Sequence, residues 1–384
     1  MSHSLMRRVA MVTACVAMSA PVAHAQSIFD GEGRLAPQFQ QYHLSSPSNE
    51  TISQLAIPVF VTFPLGSSFT MDIGTSYARS RLASGSGVSE ISGLTDTQVR
   101  GNLTLGSDFV VLTMGLNLPT GRESVTLDQF AAASRIGSDF LAFPISNMGT
   151  GFAATGGIAV ARPAGPWSVG FGAAVRRSQS YEPFNIPNQS LTFQPGNEYR
   201  LRVGGDRPVG DGRLALGLTY SAFANDDAGG ARYNVGNRVI SQAIYSRNIS
   251  GTDVSVGGYD VFRMSGHYAS GDPSGKENIL DGFVSAGFPP AGRLLEPTVE
   301  LRQWLQQVGT ADQTSGAIDW RSQSSFLATL GLRSRFELGG VTAFPGMAFT
   351  AGSLATTDVA GAAAHAGLTG FRAQLAMRAT PFGQ

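Results

Sequence analysis

Arginine and glutamate recur on alternate positions in several stretches of this chain: Glu198, Arg200 and Arg202; Glu296, Glu300 and Arg302; Arg333, Arg335 and Glu337; Arg372 and Arg378. Arg100, Arg176 and Asp72 stand in the same way among apolar alternates. Residues two apart share one face of an extended strand. A guanidinium fork matches carboxylate and phosphate, so such arginines ranged around a water-filled interior would favour anions. The plainer outcome is that each arginine pairs with an acid across strands and lines a wall. The balance of 27 basic and 27 acidic residues suits that outcome and points to no nucleic-acid partner.

Other side chains offer less chemistry. His3 and His24 fall in an N-terminal export signal, which leaves His43, His267 and His365. Tyr42-His43-Leu44-Ser45-Ser46 sets serines beside a histidine, as a lipid-modifying enzyme of the outer membrane would need, but nearness in sequence is not triad geometry. No metal-ligand spacing occurs, and Gly85-Ser86-Gly87 lacks the strand-to-helix context of a phosphate loop, so no cofactor is expected. Cys15 is the single cysteine and lies within the signal. Arg7 and Arg8 precede the apolar run Val9–Val22, and Ala23-His24-Ala25 has the form cut by signal peptidase, which places the mature start at Gln26. A lipoprotein box ending at Cys15 is the alternative.

The elements that must position these residues read as strands. Phe69, Met71, Ile73, Thr75 and Tyr77 alternate with Thr70, Asp72, Gly74, Ser76 and Ala78. The same period recurs at 52–63, 98–105, 110–118, 152–160, 167–176, 198–204, 214–220, 277–288, 293–305, 326–335, 341–355 and 371–378, and more weakly at 236–247 and 253–269. Tight connections are expected at Pro64–Ser67, Gly106–Asp108, Pro163–Pro166, Gly210–Gly212, Pro289–Gly292 and Gly339-Gly340. Longer ones are expected at 82–93, 119–148, 180–197, 225–235, 309–319 and 356–365. Adding Leu35–Leu44 gives about sixteen strands, with fourteen as the alternative.

Only 14% of residues are charged, glycine fills 48 positions, and the one lysine is Lys276. A soluble sandwich would carry lysine on its outer faces. The uncharged stretches Phe140–Ala161 and Leu338–Thr357 hold too much glycine and proline for membrane helices. Backbone groups in lipid are satisfied only by helices or closed barrels, so the expected fold is a transmembrane, antiparallel, up-and-down β-barrel. It would occupy 26–384 as a single domain in the outer membrane. Phe69 and Tyr77 would sit roughly 20 Å apart along its axis, an aromatic at each rim of the apolar band.

Gly93-Leu94-Thr95-Asp96-Thr97 and Leu118-Pro119-Thr120-Gly121 resemble the outer-membrane channel family assigned to aromatic (phenol) degradation pathways and, more distantly, long-chain fatty-acid channels. The resemblance implies a transporter whose final strand is read by the barrel-assembly machinery. Phe382 stands near the end, although Pro381, Gly383 and Gln384 depart from the usual ending.

The expected activity is therefore passive diffusion of small solutes, anionic or small and hydrophobic. The interior wall would hold Arg100, Arg176, Glu198, Arg200, Arg202, Glu300, Arg302, Arg333, Arg335, Arg372 and Arg378. Loop 119–148 predicts a short helix at Thr126–Ile136, capped by Thr126 with Gln129 three residues on. Leu127, Phe130, Ala131 and Ser134 share its i, i+3, i+4, i+7 face. Folded inward, the loop would narrow the pore and present Arg122, Glu123, Asp128 and Arg135. Outside, it would be a cap or protein contact. A non-conducting adhesin or scaffold, or a lipid-modifying enzyme, are the alternatives to a channel.

Overall fold

Period-two alternation over long stretches, punctuated by glycine turns, produces one sheet that closes on itself. The computed structural model describes residues 32–188, 190–288, 294–311, 318–357 and 363–379. Sixteen antiparallel strands follow in chain order. β1 comes in two pieces, Glu32–Leu35 and Gln38–Leu44, interrupted at Pro37, which cannot donate to a ladder. β2 is Glu50–Pro64 and β3 is Phe69–Ser84. β4 is also in two pieces, Gly87–Leu94 and Thr97–Leu105. β5 is Val110–Leu118, β6 Ala153–Ala164, β7 Trp167–Ser178 and β8 Glu198–Val209. β9 is Gly212–Phe223, β10 Arg238–Ile249, β11 Thr252–Arg263 and β12 Glu277–Gly287. β13 is Leu294–Ala311, β14 Ile318–Leu338, β15 Val341–Thr357 and β16 Ala363–Ala379.

Each strand pairs with its neighbours in sequence, and β1 pairs with both β2 and β16, which closes the barrel. The segment 35–44 is thus a wall strand, and the count is sixteen, not fourteen. One end of the barrel carries tight connections. Gly66, Gly165, Gly210, Gly251 and Gly339 occupy positive φ there, where a side chain would be strained. The other end carries 119–152, 179–197, 224–237 and 264–276. Within these, Phe193–Gln194, Asp226–Ala228 and Ala231–Tyr233 form a small separate sheet.

Three expected loops are largely strand. β3 and β4 run up to a two-residue turn at Gly85-Ser86, so 82–93 is a hairpin. β13 and β14 extend to Ala311 and from Ile318, and β15 and β16 extend to Thr357 and from Ala363. The β3–β4 hairpin reads as loop because its outward positions are polar: Arg79 and Glu90 pair there with two hydrogen bonds of 2.9 Å. The leader, the turn Pro289–Gly292 and the tail around Phe382 lie outside the described residues.

The faces are assigned by exposure. Met114, Phe171, Leu201, Leu330 and Phe349 are each about 60% exposed on the outward parity, and similar residues continue around the barrel as an apolar belt. The inward parity differs from expectation. It is polar on β5 to β9, but near the long-loop end of β1 to β4 and β14 to β16 it carries Leu44, Ile52, Leu82, Ile91, Leu327, Leu354 and Leu368, all buried. These side chains meet the 119–152 segment.

Candidate functional site

The segment 119–152 is anchored at its neck by Asp96, in the gap between the two pieces of β4. The Asp96 carboxylate accepts the Gly121 N–H at 3.1 Å, the Thr150 N–H at 2.7 Å and the Asn117 side-chain amide at 2.8 Å. Both ends of the loop therefore hang on one buried anion. Thr120 Oγ1 accepts the Thr97 N–H at 2.8 Å, and the Arg122 N–H reaches the Leu94 carbonyl. A Cβ on Gly121 would stand 2.3 Å from the Met148 carbonyl oxygen, so this crossing requires glycine. Thr95-Asp96-Thr97 and Leu118-Pro119-Thr120-Gly121 are the two motifs singled out in the sequence. They form this neck.

Beyond the neck the chain crosses the barrel interior. The helix α1 is Phe130–Ile136, shorter than expected. Residues 126–129 are turn. The Gln129 side-chain oxygen does accept the Thr126 N–H at 3.2 Å, but the Thr126 hydroxyl turns to Asp128 instead of capping. Ala132 and Ile136 are the buried face of α1, whereas Leu127, Phe130, Ala131 and Ser134 are exposed. The Ala132 N–H bonds Ser89 Oγ on β4, and Arg135 forms an ion pair of 2.6 Å with Glu50 on β2. Phe140 stacks on Trp304 of β13 at 5.5 Å, and Phe143 meets Tyr42 of β1 edge-on at 5.6 Å. Gln40 and Tyr42 both donate to the Leu141 carbonyl, and Gln54 bonds both backbone groups of Ile145. Asp139 pairs with Arg263 of β11 at 3.2 Å. These contacts fall on β1–β4 and β11–β16, which leaves the inner faces of β5 to β10 facing open space.

Arg302 belongs to this packing. It donates to Asp281 at 2.8 Å, to Glu300 at 2.7 Å and to the Phe140 carbonyl at 3.0 Å. Its side chain is 12% exposed and that of Asp281 3%, so Arg302 and Glu300 clamp the loop and do not line an open pore as expected. Arg372 joins Arg302, Tyr42 and Gln40 around a cavity of about 20 Å³ beneath the loop. Arg333 pairs with Glu296 at 2.6 Å, Arg335 with Glu337 at 2.7 Å, and Arg378 with Glu32 at 2.7 Å. Here the plainer outcome, pairing along the wall, holds. Of the four loop charges, Arg135 is tied to the wall. Arg122 is exposed and donates to the Ser92 carbonyl at 3.2 Å, Asp128 takes the Thr126 hydroxyl, and Glu123 is half-buried near Tyr181.

The uncovered wall holds the rest. Arg100 on β4, Arg176 on β7, and Glu198 and Arg200 on β8 surround one cavity of about 260 Å³, with Arg202 next along β8. Arg200 is bound to Glu198 at 2.7 Å. The same inward row continues through Ser221 to Arg238 and Arg263. Arg238, Arg263 and Asp139 escaped the sequence reading. The inward Ile240, Ile244 and Val261 on the same strands blur the alternation that would have exposed the two arginines.

Among the long loops, burial and the nearby Tyr233 and Asp226 push the Tyr181 phenol up to about 12. Its ring sits edge-on to Phe193, which stacks on Tyr233. The three histidines are spread apart: His43 faces outward against Thr51 at 3.0 Å, His267 bonds Asn234 through its backbone, and His365 is exposed on β16. Among the described residues no cluster could hold a metal.

No family model and no curated protein matches the chain. Solved structures do. An anion-selective porin from Comamonas acidovorans is 15% identical, with 91% of this chain and 98% of that one covered at a TM-score of 0.41. Outer-membrane expressed OmpT of Vibrio cholerae is 10% identical, over 93% and 99%, at 0.41. An outer membrane channel from Pseudomonas putida F1 is 12% identical, over 93% and 97%, at 0.36. Superpositions of that quality leave the function to this chain's own geometry.

Proposed function

We propose that this protein is an outer-membrane channel for passive diffusion of small hydrophilic solutes, with anions favoured. One observation carries the reading: a closed sheet with an apolar outer belt has an interior partly filled by its own loop, which is pinned to one side of the wall. The outer belt suits lipid, and a closed sheet leaves no unpaired edge within it. By the usual orientation of such barrels, the tight turns face the periplasm and the long connections face outward. The 119–152 loop is then the constriction. Solutes pass between its exposed side and the uncovered wall, formed by the Thr97–Leu105 piece of β4 with β5 to β10, where Arg100, Arg176, Arg200 and Arg202 outnumber the acids. The neighbouring partners are membrane lipid and, through β16, the assembly machinery, reached after removal of a signal ending at Ala25.

The experiment is to refold the chain from Gln26 into planar bilayers and measure single-channel conductance and the chloride-to-potassium permeability ratio. Stable open steps with a ratio above unity are expected. A folded barrel that never conducts overturns the channel. Conduction with a ratio at or below unity overturns the anion preference alone.

A further inference from the structure

The loop leaves uncovered the part of the wall where three arginines line one hollow, and two of those arginines make no ion pair among the described residues. Arg200 is committed to Glu198 through hydrogen bonds of 3.1 and 2.7 Å. Arg100 and Arg176 make no ion pair or hydrogen bond among the described residues. Asp72 lies in register with Arg100 on β3, but it accepts the Thr62 hydroxyl at 2.7 Å. Between Arg100 and Arg176 the same cross-strand row holds Gly115 and Thr155. Three inter-strand steps separate the two arginine backbones by about 14 Å. Both side chains line the same hollow, one at each end of a floor that includes Gly115 and Thr155.

We infer that this hollow is a binding station for a short dicarboxylate, a reading that rests on the channel function proposed above. Two separated forks match two carboxylates at the ends of a short chain better than one compact anion, because each fork takes one carboxylate bidentately. The volume of about 260 Å³ is ample for a short dicarboxylate. Thr155 supplies a hydroxyl from the floor, and Glu198, in register with Arg176 on the next strand, is neutralised by Arg200. A solute that dwells here blocks the conduit to chloride while it stays.

The test titrates succinate, acetate and inorganic phosphate against chloride current through the refolded wild-type protein and the R100Q/R176Q variant. Succinate is expected to reduce the current saturably, phosphate more weakly and acetate not at all. In R100Q/R176Q the half-blocking concentration rises by about tenfold or more, the loss of charge-assisted hydrogen bonds at two forks. R176K keeps the charge but loses the fork, so it restores less than half of that loss, while R79Q, in the β3–β4 hairpin, behaves as wild type. Equal block by phosphate and succinate, or unchanged block in R100Q/R176Q, overturns the station. Calorimetry of succinate with the same proteins in detergent separates the two readings. Conduction without wild-type binding removes the station alone, whereas binding without conduction removes the channel and keeps the site.

Discussion

Arg302 shows how a residue of one type can serve either of two ends. Its guanidinium holds Asp281, Glu300 and the Phe140 carbonyl together at the loop tip. Removing it leaves two carboxylates facing each other without the cation that is hydrogen-bonded to both, so Arg302→Met is expected to cost about 3–5 kcal/mol in urea unfolding, and adding Asp281→Asn and Glu300→Gln to recover most of it. If the single variant unfolds like wild type, the clamp is not what holds the tip. Parity alone placed Arg302 and Arg200 on the inner face. It could not tell that one is buried under a loop from a distant part of the chain and the other open to water, because that depends on a contact across 162 residues. At the mouth, Tyr181 is held neutral in the folded protein up to about 12, above the ordinary value of 10. The folded form thus keeps its proton where the unfolded form loses it. Its contribution to stability is complete below pH 10 and is lost as pH rises from 10 to 12. Absorbance at 295 nm should show one fewer late-titrating tyrosine in Tyr181→Phe than in wild type, with the 179–197 segment becoming protease-sensitive over the same interval.

The inserted loop is the element that gives the barrel its asymmetry. Its neck depends on one carboxylate with three donors. Asp96→Ala removes all three bonds and orphans the Gly121 and Thr150 N–H groups, and docking of the loop is expected to weaken by about 3 kcal/mol. The readouts are proteolysis within 119–152 and a larger, noisier conductance, with Asp96→Asn intermediate. A variant whose loop stays protected and whose conductance stays wild-type would show the neck to be redundant. The sequence marked this element by its length and by Phe140, Leu141 and Phe143, all of which are buried. It misplaced the helix face, since Leu127 and Phe130 have helical spacing but α1 begins only at Phe130 and buries Ala132 and Ile136. The weak alternation of β10 and β11 comes from apolar residues on their inner faces. Their inner positions include Ile240, Ile244 and Val261, and Val261 packs against the cluster that receives the loop. On β11, at least, the inward apolar residue is explained by the hydrophobic loop that docks beside it.

At the scale of the whole molecule, the closed sheet was legible because its outer belt repeats one rule sixteen times over: apolar outward, turn, apolar outward. Strand length was less legible. Where strands rise past the belt, as at Arg79 and Glu90, the outward face turns polar and looks like loop. The belt itself supplies the sharpest test of the fold in lipid. Val299 is 45% exposed on the outward face of β13, and Thr298, its neighbour, faces inward between Glu296 and Glu300. An arginine at the outward position enters hydrocarbon, whereas one at the inward position enters water beside two carboxylates. Val299→Arg is expected to lower the unfolding free energy in lipid vesicles by about 2–4 kcal/mol. Thr298→Arg should stay within about 1 kcal/mol of wild type, because the lumen side meets solvent and acids. Equal losses at both positions would mean that the two faces meet similar surroundings, and the membrane orientation of the barrel would fall with that result.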